Sequence, residues 1–172
     1  IITSGAWVDE VLRPMGFESR MTPVRGQLAW YQHHEIQLET SIHMDGHFYA
    51  IPREGGFILG ATTEAREWVQ EFGDTGTQFL KTNIQRYLAS DFHQMTPIRA
   101  WAGLRPRTRD RKPLMGSVDP NKKIWMSAGH FKNGLSMAPL AAELMWDKIL
   151  GNEPKLDFDE FSPLRQKGLV PL

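Results

Sequence analysis

The run Trp101-Ala102-Gly103-Leu104-Arg105-Pro106 ends an apolar stretch on an arginine. A guanidinium is a rigid fork that meets a carboxylate through two parallel hydrogen bonds, which a lysine ammonium cannot copy. The order predicts a strand from Ile98 to Leu104 with Arg105 at its mouth, Pro106 turning the chain away and Gly103 leaving room for a neighbour. A lone arginine would read as an ion-pair partner. A second block, Gly129-His130-Phe131-Lys132-Asn133-Gly134-Leu135-Ser136, brackets a polar turn between glycines, whose backbone freedom lets N–H groups approach a ligand. Ser136 is a candidate cap for a following helix, with Pro139 in its first turn. The helix N-terminus would carry about half a positive charge. Together the blocks suit a site that grips a small carboxylate and offers backbone donors to a second, electron-rich ligand.

Other chemistry finds less support. His33, His34, His43 and His47 could be drawn as a metal cluster with Asp45, but Gly46 favours a turn over the regular strand that a shared face would need, so no metal is expected. Ser127 and Ser136 lack a Gly-x-Ser-x-Gly elbow, which disfavours hydrolase chemistry. Arg107, Arg109 and Arg111 alternate with Thr108 and Asp110 and read as a solvated turn. Six tryptophans and eight methionines read as core and pocket wall. Twenty basic and twenty acidic residues cancel, so nothing points to nucleic acid. There is no cysteine, which excludes disulfides, thiolate metal sites and a cysteine-linked cofactor and is compatible with a cytoplasmic location. No apolar run approaches the ~20 residues that span a bilayer. The opening residues lack both Met and a basic leader, unlike a signal peptide.

The elements that must position these residues read as a mixed fold. Ile1-Ile2 followed by Thr3-Ser4-Gly5-Ala6 is the end of a buried strand entering a tight turn, where small residues let backbone approach a ligand. Trp7 to Leu12 makes a short helix stopped by Pro14 and Gly16. Val24 to Tyr31 is a strand. Phe48 to Arg53 and Phe57 to Thr62 flank Glu54-Gly55-Gly56 as a hairpin. Phe79, Leu80, Ile84, Tyr87 and Leu88 recur at helical spacing from Thr75 to Leu88. Ile124 to Ser127 is a short strand, and Leu140, Leu144, Met145 and Ile149 mark a helix ending at Gly151. From Asn152 the polar, Pro-punctuated tail is expected to wrap the surface.

These spaced blocks, from Ile1 to about Gly151, resemble the C-terminal half of the glycine oxidase family, flavoenzymes of the wider D-amino acid oxidase group. The resemblance implies an α+β fold with a large, mostly antiparallel sheet: residues 1–20 and 106–172 would belong to an FAD-binding domain and 21–105 to a substrate-binding domain. It implies a missing N-terminal half that supplies the GxGxxG nucleotide turn. Arg105 matches the family's carboxylate-binding arginine. Tyr49, in Phe48-Tyr49-Ala50-Ile51-Pro52-Arg53, matches a pocket tyrosine, although a strand aromatic alone would read as core, and His47 reads as pocket wall or surface. Gly5 and Ala6 would lie near the dinucleotide. The segment Gly129, His130, Phe131, Lys132, Asn133, Gly134, Leu135 and Ser136 would contact the isoalloxazine. Lys132 stands where these enzymes usually carry arginine, keeping the charge without the planar fork. Asp110 and Pro113 match a structural turn.

The implied reaction is oxidation of glycine or another small amino acid by hydride transfer to non-covalent FAD, without a side-chain general base. Imine hydrolysis would follow, with oxygen reduced to hydrogen peroxide. The thiamine-pathway type of enzyme is the nearest kind, with a homo-oligomer left open as its assembly. Sarcosine or D-amino acid oxidase or dehydrogenase chemistry would use the same grip. A non-catalytic binding or assembly module remains the alternative from a different class, with the fragment inactive alone.

Overall fold

The computed structural model describes residues 1–171 except Gln37, Arg66, Glu67, Pro120, Lys122, Gln166 and Lys167, and the Asp45 backbone without its side chain. The chain divides into two compact units, Val24–Leu104 and Ile1–Pro23 with Arg105–Leu172.

The Val24–Leu104 unit is a sheet with one helix. Its strands are β2 (Thr22–Gln32), β3 (Ile42–Asp45), β4 (Phe48–Arg53), β5 (Gly56–Gly60), β6 (Glu64–Ala65) and β7 (Arg99–Arg107), the first and last running past the unit's ends. The order is β3-β4-β5-β2-β6, with β7 also paired to β2. The registered pairs are antiparallel, and Arg53 faces Gly56 across the two-residue turn Glu54-Gly55. Helix α2 (Asp74–Tyr87) sets Leu80 and Ile84 against Ala29, Tyr31, Phe48, Ala50, Phe57 and Leu59. Each of the larger apolar side chains contributes about 1.5–3 kcal/mol by leaving water. Side chains alternate across a strand, so Tyr49 lies on the face opposite Phe48 and Ala50.

The hydrophobic alternation of β2 is imperfect because its core face changes from apolar to polar. Arg25 and Gln27 continue the face of Ala29 and Tyr31, and both are buried. Gln27 Nε2 donates to Glu64 Oε1 at 2.8 Å and to Thr75 Oγ1 at 2.6 Å, while Arg25 Nη2 donates to Glu64 Oε2 at 2.5 Å. Desolvation alone would raise the Glu64 pKa. The donors from Arg25, Gln27, Thr62 and Thr75 outweigh it and hold the carboxyl at about 2.

In the other unit, β8 (Leu114–Ser117) pairs antiparallel with β9 (Trp125–Ala128). Leu114, Met126 and Ala128 meet Ile2, Val8 and Leu12 on one face; Met115 and Trp125 meet α3 (Gly134–Leu150) through Ala141, Leu144 and Met145 on the other. Ile2 forms a parallel bridge with Met126, consistent with the expected strand end, although Ile1 is 75% exposed. Helix α1 (Val8–Leu12) begins one residue later than expected. It ends at Leu12 as expected, where the chain tightens into a 3-10 turn, Arg13–Met15, that accommodates the fixed φ of Pro14, and Gly16 ends the run.

Two sequence expectations fail here. Arg105 is not at the strand's mouth: β7 continues to Arg107, which forms an antiparallel bridge with His130, because the φ of Pro106 is compatible with extended chain. Arg107 is therefore a strand residue, unlike the exposed Arg109 and Arg111. The tail does not merely wrap the surface. Phe158 and Leu169 enter the two cores, and β10 (Val170–Pro171) pairs with β1 (Phe17–Glu18). Arg165 binds both Asp110 carboxylate oxygens at 2.9 Å and donates to the carbonyls of Lys112, Pro113, Phe161 and Ser162. Gln166, Lys167 and Leu172 of that tail lie outside the described residues.

Candidate functional site

Arg105 and Lys132 come from separate stretches of the same unit. Arg105 is half-buried on β7, where alternation gives it the strand side of Trp101 and Gly103. Lys132 lies in a 3-10 turn, Phe131–Asn133, with its Nζ 5.7 Å from the Phe131 ring centroid. Its pKa is lowered by burial and then by the charge of Arg105. Two cations therefore share a local field, and an anion placed beside both would relieve their repulsion.

The turn carrying Lys132 is held by unusual backbone. Gly129 has φ +78°, and a Cβ there would run into Thr108 Cγ2 and approach Met21 Cε at 3.3 Å, so this position requires glycine. Phe131 takes φ +53° without being glycine, at a cost on the order of 1–3 kcal/mol. Asn133 follows and α3 starts at once with Gly134, with no side-chain cap. Ser136 is therefore not the expected N-cap. It is the third helical residue, and its Oγ donates to the Asn133 carbonyl at 3.1 Å. Pro139 is correspondingly inside the helix rather than in its first turn, because the 3-10 turn runs directly into α3. No side chain caps the start of α3, and Leu135 in its first turn is 92% exposed.

His130 shows a feature that the sequence did not disclose. Its Nε2 lies 3.1 Å from Ser127 Oγ, while its buried Nδ1 has no hydrogen-bond partner among the described residues. Burial lowers its pKa, which favours the neutral ring. The Ser127–His130 pair lacks the third group that orients a catalytic histidine through Nδ1, so it does not complete a hydrolase triad. Its i, i+3 spacing around Ala128-Gly129 was the available signal. His130, Ser127, Gly134, Ala138, Ile1 and Thr3 belong to the lining of a cavity of about 450 Å3. Nearby in sequence, Ser4 Oγ is buried without a partner among the described residues, Ala6 is buried, and no described atom stands within 4 Å of where a Gly5 Cβ would be.

Tyr49 lies in the other unit, partly buried on β4, with the His43 ring centroid 5.5 Å away. Trp30, also on that non-core face by alternation, has a buried Nε1 without a partner among the described residues. His47 is exposed and its carbonyl accepts from Ala61 N at 2.9 Å. Among the described residues no cluster has the composition to hold a metal ion, and no helix is long and apolar enough to cross a membrane. Asp110, expected to be structural, is held at about 2 by its hydrogen bonds with Arg165.

The sequence model of FAD dependent oxidoreductases, the DAO family, matches residues 1–148. The chain belongs to this family. Among its DAO-family relatives, glycine oxidase of Pseudomonas aeruginosa is 34% identical over 164 residues, which are 95% of this chain and 44% of that protein. Glycine oxidase of Bacillus licheniformis is 33% identical over 99% of the chain and 46% of its own length. The crystal structure of glycine oxidase from Geobacillus kaustophilus superposes with a TM-score of 0.84 at 27% identity, covering 96% of this chain and 45% of that one. The chain thus spans less than half the length of these relatives, and its mixed helix and antiparallel-sheet architecture is that of the DAO fold.

Proposed function

We propose that the whole protein is an FAD-dependent oxidase of glycine or another small amino acid, with Arg105 as its carboxylate anchor. The observation that carries this reading is the match of residues 1–148 to the FAD dependent oxidoreductase family, with Arg105 half-buried on β7 in the same unit as Lys132. A substrate carboxylate would take the bidentate hydrogen bonds of the Arg105 fork and sit within the positive field of Lys132. The resemblance assigns Tyr49 to the lining of the substrate pocket.

The residues present also fit a flavin. The start of the 17-residue α3 without a side-chain cap, a nearby cation and the buried polar atoms Ser4 Oγ, Thr108 Oγ1 and His130 Nδ1, without a partner among the described residues, suit a ligand rich in acceptors and donors. Gly5 and Ala6 and residues 129–136 would hold FAD non-covalently, and when bound FAD would accept the hydride leaving the substrate α-carbon. In this reading residues 1–20 and 106–172 serve the cofactor, and residues 21–105, Arg105 included, serve the substrate. The protein's own contribution is orientation: Arg105 fixes the carboxylate and hence the direction of the Cα–H bond, with no side-chain general base. The overall reaction yields an imine that water hydrolyses, with oxygen as acceptor and hydrogen peroxide as product. Thiamine biosynthesis is the proposed context.

Replacing Arg105 with Ala in the whole protein tests the assignment. Glycine kcat/KM should fall roughly 10–1,000-fold, the loss of a charged bidentate contact worth ~2–4 kcal/mol, with flavin content near that of the parent. A variant that loses flavin yet oxidises glycine normally per bound flavin would refute the role. A whole protein that shows no flavin absorbance would instead favour the non-catalytic module.

A further inference from the structure

On the core side of the sheet in the Val24–Leu104 unit lies a second cavity, of about 310 Å3. Thr77, Leu80, Lys81 and Ile84 line it at the i, i+3, i+4, i+7 spacing of one α2 stripe, and residues 93–97 add further lining. That segment is anchored: Met95 N donates to the Phe92 carbonyl at 3.1 Å, and Ile98 N to the Trp30 carbonyl at 2.9 Å. His93 Nε2 lies 3.0 Å from the Leu88 carbonyl, a pure acceptor, so Nε2 carries the proton and the ring is held in place.

Tyr31 belongs to the cavity's lining; it is only 3% exposed and its hydroxyl bonds to no described residue. Burial raises its pKa and keeps it a neutral donor. Lys81, also in the lining, is exposed and forms no ion pair among the described residues, and no acidic residue lines the cavity. Leu80, Ile84, Phe72 and Met95 add apolar surface to it. The lining thus combines a buried hydroxyl donor, apolar side chains and an exposed cation in a volume suited to a small molecule.

We propose that this cavity binds a small aromatic carboxylate, with its ring against Leu80, Ile84 and Phe72, a polar ring substituent at the Tyr31 hydroxyl and its carboxylate at Lys81. The site is independent of the proposed glycine chemistry, since Tyr49 lies on the opposite face of the sheet.

The probe is 4-hydroxyphenylacetate, which carries a hydroxyl at one end and a carboxylate at the other, titrated into the chain and followed by amide NMR. Saturable shifts are expected at Leu80, Ile84 and Met95. Lys81→Gln should weaken binding about fivefold or more. Tyr31→Phe should weaken 4-hydroxyphenylacetate about fivefold and leave phenylacetate unchanged, a contrast that a general packing defect would not produce. Absence of saturable binding up to about 10 mM overturns the proposal, as does binding indifferent to both substitutions.

Discussion

Lys132 separates two roles for the turn that precedes α3. If its charge alone matters, Lys132→Arg in the whole protein should change glycine oxidation within about threefold, whereas Lys132→Met should weaken carboxylate binding or slow flavin reduction. Peroxide release and anaerobic reduction with glycine distinguish these. Parent-like behaviour of the Met variant in both would make Lys132 a solvated loop residue. The pH dependence has a definite sign. Because burial and Arg105 lower its pKa, Lys132 loses its charge below the ordinary lysine value of 10.5, and carboxylate affinity should fall as pH rises through that lowered value. The residue types in this turn were legible in the sequence. The Ser127–His130 contact and the left-handed Phe131 were not, since each depends on how Gly129 packs against Thr108 and Met21.

At the scale of elements, the tail is fastened chiefly by Arg165, and its polar composition concealed this. Removing the guanidinium leaves the largely buried Asp110 carboxylate without its main partner, so Arg165→Ala should destabilise the fold by on the order of 3 kcal/mol, measured by urea or thermal unfolding. Linkage supplies a second readout. The Asp110 pKa is lowered to about 2, so its contribution is fully present above the ordinary value of 3.8 and is lost as pH falls from there through about 2. Asp110→Asn should flatten that part of the stability profile. The periodicities of α2 and α3 were readable because helical spacing is local. The start of α3 was misplaced, since a 3-10 turn feeding directly into a helix leaves no extended capping residue for Ser136 to imitate. Strand β8 passed unnoticed because Leu114–Ser117 is short and half of it is glycine and serine.

For the molecule as a whole, the 172-residue chain alone should bind FAD weakly or not at all. The glycine turn that presents backbone donors to a pyrophosphate at a helix N-terminus is not among its residues. Fluorescence titration with FAD measures this, and stoichiometric binding at micromolar affinity would contradict it.

The hairpin through Glu54-Gly55 and the helical stripes were determined by the sequence itself, because turn chemistry and side-chain period act over a few residues. Only the tertiary structure decided that Arg165 reaches Asp110 across 55 residues of chain, that Gln27 is buried as the partner of Glu64 and Thr75, and that the charge of Arg105 bears on Lys132. Charge and hydrogen-bond partners act through space, and their distances exist only once the chain has folded.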